Sequence, residues 1–434
     1  EITAVTGKSY FIEKVVEDNH GVLWLGTRSG LLSWNVETNQ TISYRESLKS
    51  AANINYIHAL AIDTNGLIWV GGSGYGLALG ATSPEFLLDT FTQSSAYQLS
   101  HQMVWSIYEQ DNKVWLGTEG GLEIVDMLSK QSELILLEGF DLNDSVYQIS
   151  ELDHHHLVLS TTMGLFVINK LTNVVTDFHV WSGGTTSLRD AVIMFNYHDP
   201  VILGRIWFLT NKGLYYWQKG AVDIQRFEMG FNYPPFNAIT RDGQQRLWLG
   251  GKKELGYLNA ANQFISIKDK AIYQGKPLDV AHIMEVSPNV FWVGTHQQGL
   301  LELNTITAEV TNLNERWNIE CGVVLFLKNT PDDFLVGCYR SIIKFNKRSQ
   351  SPSSYTHYDG FISNEFNESA VFVQPEKGLF LGTPNGAMLI EPRLLTNRIA
   401  NNEAFLESVS IYYSDRTDLF LVPAQLKTVK PEAS

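Results

Sequence analysis

Two features of the sequence, the Asp turns and a glycine-rich run, could carry chemistry, but both are better explained as structural turns. Asp18 and Asp63 each open a turn of the form Asp-x-x-Gly-x-x-Trp, one residue longer than the Asp-box turns of glycan-cleaving enzymes. The glycine-rich run Gly71–Gly76 does not introduce a helix, so it is not expected to bind phosphate. A Gly-x-Ser-x-Gly nucleophile motif is absent. We therefore expect no catalytic residues, although paired carboxylates brought together by loops remain an alternative.

Histidine and cysteine, which often bind metals, occur in two small groups. His154, His155 and His156 are adjacent on a strand-like turn where neighbouring side chains point apart, so we expect a solvated turn, with a metal site as the alternative. Cys321 and Cys338 are the two cysteines, and their positions predict that they lie close together at one end of a hairpin. A disulfide and two free thiols are both consistent with this spacing. No metal or cofactor is expected.

The composition describes a large globular protein with an acidic surface. Of the 434 residues, 44% are hydrophobic and 18% are charged, which suffices for a substantial core and excludes a disordered chain. The net charge of −14 makes nucleic acid and anionic lipid poor partners. No apolar run approaches the roughly 18 residues that span a bilayer. Membrane attachment is therefore expected only through segments outside this sequence.

A repeat runs along most of the chain. The motif Leu-Trp-Leu-Gly-Thr around Trp24 returns with small changes around Trp69, Trp115, Trp248 and Trp292. Four weaker copies are centred on positions 158, 207, 335 and 380, so nine copies follow one another at intervals of 41 to 49 residues. Such a regular spacing indicates a structural repeat.

Each repeat contains the signals of four short antiparallel strands. An apolar stretch is followed by an Asp/Asn/Gly turn, the Trp strand, a second turn ending in Gly, and two further strands. Four strands every 40–45 residues is the period of a β-propeller blade. The Trp side chains should fill the gaps between stacked blades and need a partner for each indole N–H. We therefore predict an all-β propeller.

The motifs resemble the two-component regulator propeller repeat of bacterial sensor proteins. Residues 17–27 with Gly30 and Leu31 match its pattern nearly in full, and residues 359–367, ending in Asn364-Glu365-Phe366-Asn367, resemble its last blade before an Ig-like linker domain. This resemblance covers about residues 10–395. It implies a periplasmic sensor region of a hybrid two-component or related membrane signalling protein.

The blade count departs from the family, whose members commonly carry about fourteen repeats as two seven-bladed rings. Nine repeats here favour a single ring of eight or nine blades, because a seven-bladed ring with two further blades would expose sheet faces. We assign residues 1–395 to the propeller, as nine repeats of about 44 residues. Residues 396–434 are assigned to a C-terminal strand and tail leading toward an Ig-like domain.

Ligands of propellers usually meet the face formed by the loops that precede the first strand and that join the second and third strands of each blade. Polar and aromatic side chains in these loops could bind a sugar or another polar small molecule, with ordinary loop residues as the alternative. The residues that we select as candidate ligand-binding residues are Arg28, His58, His101, Trp105, Lys252, His296, Arg340 and Asn367.

These observations favour a non-catalytic, periplasmic ligand-sensing domain of a histidine kinase or diguanylate cyclase type signalling protein. Its expected partners are a small polar ligand or oligosaccharide and, in a homodimer, a second copy of the chain. A protein-interaction scaffold is the alternative, and a secreted glycan-active lyase or hydrolase is a third. The sequence does not identify the ligand, the output domain or the oligomeric state.

Overall fold

The computed structural model describes residues 10–18, 21–36, 40–44, 56–62, 67–72, 76–81, 86–141, 144–229, 236–349, 351–356, 359–363 and 365–395. The C-terminal strand and tail that are predicted for residues 396–434 lie outside these residues. Within the described residues the chain is almost entirely β-structure, as the repeat predicts. Two five-residue α-helices occur there, α1 (Phe178–Ser182) and α2 (Leu313–Trp317), with a 3₁₀ turn at Pro392–Leu394. None of these is long enough to cross a membrane.

Two N-terminal sheets come first. The first is built from β1 (Ile12–Glu17), β2 (Val22–Thr27), β3 (Gly30–Asn35) and β4 (Gln40–Ser43). The second contains β5 (Ile57–Ile62), β6 (Leu67–Gly72) and β7 (Gly76–Ala81). They share a small apolar cluster that includes Trp24, Ile57 and Ile68.

Seven further four-stranded antiparallel sheets, blades I to VII, follow in the described residues. Their strands in chain order are β8 (Leu87–Phe91), β9 (Val104–Gln110), β10 (Lys113–Thr118), β11 (Gly121–Asp126), β12 (Gln131–Ile135), β13 (Val146–Glu151), β14 (His156–Thr161), β15 (Gly164–Asn169), β16 (Val175–Asp177), β17 (Ile193–His198), β18 (Arg205–Thr210), β19 (Gly213–Gln218), β20 (Gln225–Arg226), β21 (Phe236–Arg241), β22 (Leu247–Gly251), β23 (Glu254–Leu258) and β24 (Phe264–Ser266). A short hairpin, β25 (Ile272–Tyr273) and β26 (Lys276–Pro277), then precedes β27 (Val280–Ser287), β28 (Val290–Thr295), β29 (Leu300–Asn304), β30 (Glu309–Asn312), β31 (Val324–Asn329), β32 (Asp333–Cys338), β33 (Ser341–Asn346), β34 (Pro352–Thr356), β35 (Val371–Gln374), β36 (Gly378–Thr383) and β37 (Gly386–Ile390).

Blades I to VI each consist of four consecutive strands: β9–β12, β13–β16, β17–β20, β21–β24, β27–β30 and β31–β34. Blade VII is assembled differently, because β35, β36 and β37 take their fourth strand from β8, which precedes blade I in the chain. The pairing of β8 with β37 therefore joins the two ends of this seven-bladed part of the chain.

The core shows that these blades close into a ring. Seven separate apolar clusters lie between neighbouring blades, one for each successive pair and a seventh between blades VII and I. In this last cluster Phe91, Phe380 and Leu389 of blade VII pack with Val104 and Leu116 of blade I. The predicted single ring of eight or nine blades is therefore not confirmed, because the described sheets that are joined in this way number seven.

The glycine of the Trp-Leu-Gly-Thr motif explains how tightly the blades pack. A Cβ atom on Gly294 would lie 2.5 Å from Cγ1 of Val324 in the next blade, and one on Gly117 would lie 2.4 Å from the carbonyl oxygen of Val146. Gly382 of blade VII has the same relation to blade I, where its Cβ would lie 2.6 Å from the carbonyl oxygen of Val104. A side chain at this position would displace the first strand of the following blade.

The motif threonine and the turn aspartate also have structural roles. The Thr118 hydroxyl donates to the carbonyl of Gly121 at 3.0 Å, which closes the turn between the second and third strands, and equivalent bonds are found in five other sheets. Trp207 and Trp248 donate their indole N–H groups to the turn carboxylates of Asp199 (2.9 Å) and Asp242 (2.8 Å). In blades III and IV the Asp turn is thus the partner that the buried indole requires.

A disulfide bond joins Cys321, which precedes β31, to Cys338 at the end of β32. The structure therefore resolves the alternative left open by the sequence. Both residues are buried in the cluster between blades V and VI.

We expect the disulfide to contribute to stability because it links two residues that are 17 positions apart. This link reduces the conformational entropy of the unfolded chain. Its loss should lower the free energy of unfolding by about 3 kcal/mol. Urea titration with and without dithiothreitol measures this difference. The variant with both Cys321→Ala and Cys338→Ala should not respond to reductant, and an equal midpoint for the oxidised and reduced protein would contradict the prediction.

Candidate functional site

A central channel runs between the first strands of the seven blades. It encloses a cavity of about 540 Å³, a volume typical of small-molecule sites. The first strand is the innermost strand of each blade, so every blade contributes polar or ionisable side chains to the channel lining. The lining includes, one from each blade in order, Ser106, Gln148, Tyr197, Asn237, His282, Lys328 and Ser369.

Ionisable side chains of blades V and VII meet at the end of the channel where the first strands begin. Glu368 lies between two histidines, with its Oε1 atom 3.8 Å from Nε2 of His282 and 3.6 Å from Nε2 of His296. The other ring nitrogen of His296 lies 3.5 Å from Oδ1 of Asp279. We call these four residues, together with Trp105 and Tyr147, the mouth cluster.

The two aromatic members come from blades I and II. Trp105 and Tyr147 contact each other edge to face, with ring centroids 5.7 Å apart. The indole Nε1 of Trp105 is buried and has no hydrogen-bond partner among the described residues. Burial raises the pKa of Tyr147, and the charges of Asp144, Glu119 and Glu368 add to this effect. The mouth cluster therefore combines aromatic faces with an unused donor and several charged groups.

The two histidines differ in charge because their surroundings differ. Burial lowers the pKa of His282 to about 4, so its ring is neutral at neutral pH. The nearby Glu368 carboxylate, with added help from Asp279, raises the pKa of His296. Burial alone would raise the pKa of Glu368, but His296 and His282 outweigh it and lower that pKa. Glu368 thus favours the protonated form of His296 and lies beside the neutral imidazole of His282.

We expect NMR titration of the histidine ring protons to separate these residues. His296 should titrate above its ordinary value of 6.5, and His282 near 4. Between pH 6.5 and the folded pKa of His296 the folded state binds more protons, so the stability that His296 contributes is complete below pH 6.5 and lost as pH rises. For His282 the sign is opposite, because the unfolded state binds more protons between pH 4 and 6.5.

Two glutamate variants check the histidine titrations. Glu368→Gln should lower the pKa of His296, whereas Glu365→Gln, a nearby change outside the mouth cluster, should leave both histidines unchanged. Equal pKa values for His282 and His296 in the unsubstituted protein would contradict the arrangement.

Three of the eight selected residues lie at or beside this mouth. Trp105 and His296 belong to the cluster, and Lys252 forms an isolated β-bridge with Asp279. Their blades are far apart in sequence, and the ring brings them to one end of the channel. Their role in binding remains a prediction.

The other selected residues lie elsewhere. Arg28 and His58 belong to the two N-terminal sheets, where Arg28 pairs with Glu13 at 2.7 Å and His58 contacts the ring of Tyr56. His101 is half-buried in the segment between β8 and β9. Arg340 is exposed and lies over the ring of Tyr339.

Asn367 has a structural partner. Its side-chain amide donates to the carbonyl oxygen of Val104 at 2.7 Å, and the residue is buried. This bond ties blade VII to blade I next to Gly382. Asn364, from the same predicted motif, lies outside the described residues.

The selection did not include Glu368, Asp279, His282 or Lys328. His282 and Lys328 stand out in sequence only as ionisable residues within apolar first strands, namely Val-Ala-His-Ile-Met and Val-Leu-Phe-Leu-Lys. Glu368 gives no local signal, because its partners come from a blade more than 70 residues earlier in the chain.

A second cavity of about 580 Å³ lies between blades V and VI near the opposite end of their strands. Its lining includes Trp292, Trp317 and Phe334, whose rings pack on one another, and the ion pair between Arg316 and Glu302 at 3.2 Å. This cavity is spatially separate from the mouth cluster and provides a comparison site for mutagenesis.

Comparison with known proteins finds similar folds in sensor regions. The chain superimposes on the extracellular domain of the two-component system protein BT3049 from B. thetaiotaomicron with a TM-score of 0.63 at 15% identity, covering 94% of this chain and 61% of that one. The extracellular domain of BT4673 from the same organism gives a TM-score of 0.55 at 14% identity, covering 96% and 55%. The WD40 propeller domain of Doa1 gives 0.51 at 12% identity, covering 71% and 97%.

At the sequence level, the chain is 24% identical over 365 residues to histidine kinase P4 from Formosa agariphila, covering 77% of this chain. It spans about a quarter of the length of that kinase (26%). No sequence-family profile matches the chain. The predicted resemblance is confirmed at the level of fold: this chain is a β-propeller like those in the extracellular domains of two-component sensor proteins.

Proposed function

We propose that this chain is the ligand-sensing part of a bacterial transmembrane signalling protein, located in the periplasm, and that it binds a glycan fragment or another polar small molecule at the mouth cluster. The observation that carries this proposal is the channel, whose mouth presents two aromatic rings, two histidines and two carboxylates. Aromatic faces with a few convergent polar groups are the usual composition of a small-molecule site.

Two further observations support the setting. The propeller fold is shared with extracellular domains of two-component systems. The disulfide between Cys321 and Cys338 fits an oxidising compartment such as the periplasm. A histidine kinase or diguanylate cyclase output would belong to a longer protein, as would its membrane attachment.

The ring geometry suggests how binding could become a signal. Members of the mouth cluster come from blades I, II, V and VII, so a ligand that contacts them bridges blade V to three blades that are not its neighbours in the ring. A ligand changes a conformational equilibrium only through its difference in affinity for the two states. We propose that the bridged ring favours one packing of a homodimer, which the longer protein transmits across the membrane.

Differential scanning fluorimetry against a panel of oligosaccharides and polar metabolites tests the proposal. A ligand at one hundred times its dissociation constant should stabilise the fold by about 2.7 kcal/mol. The shift should be saturable, occur without turnover, and be lost in Trp105→Ala. It should persist in Trp317→Ala, which changes the second cavity.

Two outcomes would contradict the proposed site. A shift that Trp317→Ala abolishes and Trp105→Ala preserves would place binding in the second cavity. The absence of any shift across the panel, combined with capture of a protein partner, would favour the interaction scaffold.

A further inference from the structure

Lys328 is a cation in the channel without an acidic partner. It lies on β31, the first strand of blade VI, and lines the cavity. Within the described residues its ammonium group forms no ion pair or hydrogen bond, and burial is the sole cause that lowers its pKa. A half-buried charge in this position is unfavourable unless something compensates it.

Other lysines that are partly or fully withdrawn from solvent show what such compensation looks like. Lys170 bonds Gln110 at 2.8 Å and Glu151 at 3.3 Å. Lys344 donates to the carbonyl oxygens of Pro392 (3.0 Å) and Leu395 (2.8 Å). Lys377 pairs with the buried Glu109. Lys328 lacks any equivalent contact in the described part of the chain, although it lines the cavity of the channel.

The carboxylates nearest the channel are already engaged. Glu151, which also lines the cavity, pairs with Lys170, and Glu368 pairs with His296. His282 contributes a buried Nε2 atom without a hydrogen-bond partner, and its ring is neutral. The channel therefore offers one uncompensated positive charge and one unused imidazole nitrogen within a protein whose overall charge is −14. This combination favours the binding of an anion inside the channel over binding at the outer surface of the protein.

The positions of these groups constrain the shape of the anion. Lys328 is the fifth residue of β31, about 7 Å further along the channel than the third residue of a first strand. His282 is the third residue of β27, close to the mouth. A ligand that reaches from the mouth cluster to Lys328 needs an anionic group at one end and hydroxyl groups at the other.

We propose that the channel binds a small hydroxylated carboxylic acid, sugar acids among them. Its carboxylate pairs with Lys328, and its hydroxyl groups contact His282 and the other members of the mouth cluster. Pairing a carboxylate with the lysine satisfies both charges through charge-assisted hydrogen bonds. This inference rests on the proposed sensing function, because it names the ligand class of the same channel.

Isothermal titration calorimetry with matched pairs of compounds tests the inference on the full chain. The acids are glucuronate, galacturonate and gluconate, and the neutral partners are glucose, galactose and sorbitol. We expect at least one acid to bind at least tenfold more tightly than its neutral partner. Lys328→Met should remove this preference, and Lys328→Arg should keep part of it. Lys219→Met, at an exposed position that follows the third strand of blade III, should match the unsubstituted protein.

The results also separate this inference from the function on which it rests. If neutral oligosaccharides bind through Trp105 and Lys328→Met has no effect, the sensing function stands and the carboxylate preference is overturned. If an acid binds equally well to Lys328→Met and the unsubstituted protein, the assigned partner is wrong. If none of the six compounds binds, the carboxylate inference is overturned, and the wider fluorimetry panel then decides the sensing function. Acetate alone should compete weakly, which distinguishes a bare carboxylate site from one that also reads hydroxyl groups.

Discussion

Replacing Phe91 with alanine should lower the free energy of unfolding by about 3–5 kcal/mol. Phe91 is fully buried on β8, stacks on Tyr97 with a centroid distance of 4.7 Å, and contacts Phe380. The substitution leaves a cavity in the cluster that holds blade VII to blade I. Guanidinium titration followed by tryptophan fluorescence measures the change.

Leu88 provides the matched control on the same strand. Its side chain is 49% exposed, so Leu88→Ala should change the free energy of unfolding by less than about 0.5 kcal/mol. If Phe91→Ala is no more destabilising than Leu88→Ala, then β8 does not close the ring in the way that the structure describes.

The second large effect is expected at Asp199. Its side chain is fully buried and accepts hydrogen bonds from Trp207 and Arg241 and from the backbone N–H groups of Val201 and Ile202. Asp199→Ala leaves the guanidinium and the indole without their shared acceptor. Removing one partner of a buried pair should cost about 3–5 kcal/mol. Urea unfolding measures it, and Asp332→Ala, which removes an exposed carboxylate, is the control.

The pH dependence of Asp199 has a defined sign. Burial alone would raise the pKa of Asp199, but Arg241 and Trp207 outweigh it and hold the pKa below the ordinary value of 3.8. The stability from this carboxylate is therefore present above the unfolded pKa and is lost as pH falls through the folded one. Asp199→Ala should flatten the loss of stability on acidification. An unchanged acid limb in this variant would show that other carboxylates dominate it.

The fold was largely predictable because its local rules repeat. Where the Trp, Gly and Thr of the motif occur, they have the same tasks: filling an interface, admitting the next blade, and closing a turn. The count of blades in the ring was not predictable from these motifs. The strand β8, which closes the ring as part of blade VII, carries no repeat motif and precedes blade I in the chain. Nine evenly spaced repeats therefore look alike, although two of them form separate sheets.

The candidate site was predictable only in part. His296, Lys252 and Trp105 lie in loops and strand ends where propellers commonly bind ligands, so the fold prediction led to them. Glu368 and Lys328 acquire their roles from neighbours on other blades, and no local sequence pattern records those contacts. Asn367 is the opposite case. It lies in a loop where ligand binding was predicted, but its side chain bonds the backbone of Val104 in blade I.

The pairing of β8 with β37 has a mechanical consequence. Leu87, where the chain enters the ring, lies beside Ile390, where it leaves, and the strands are antiparallel. Tension applied between these two points loads the hydrogen bonds one after another, as in a zipper, and not all at once, as in shear. We therefore expect blade VII to open at low force in single-molecule pulling between residues 86 and 391. The buried clusters between blades do not oppose this opening directly, because the load falls first on the β8–β37 hydrogen bonds.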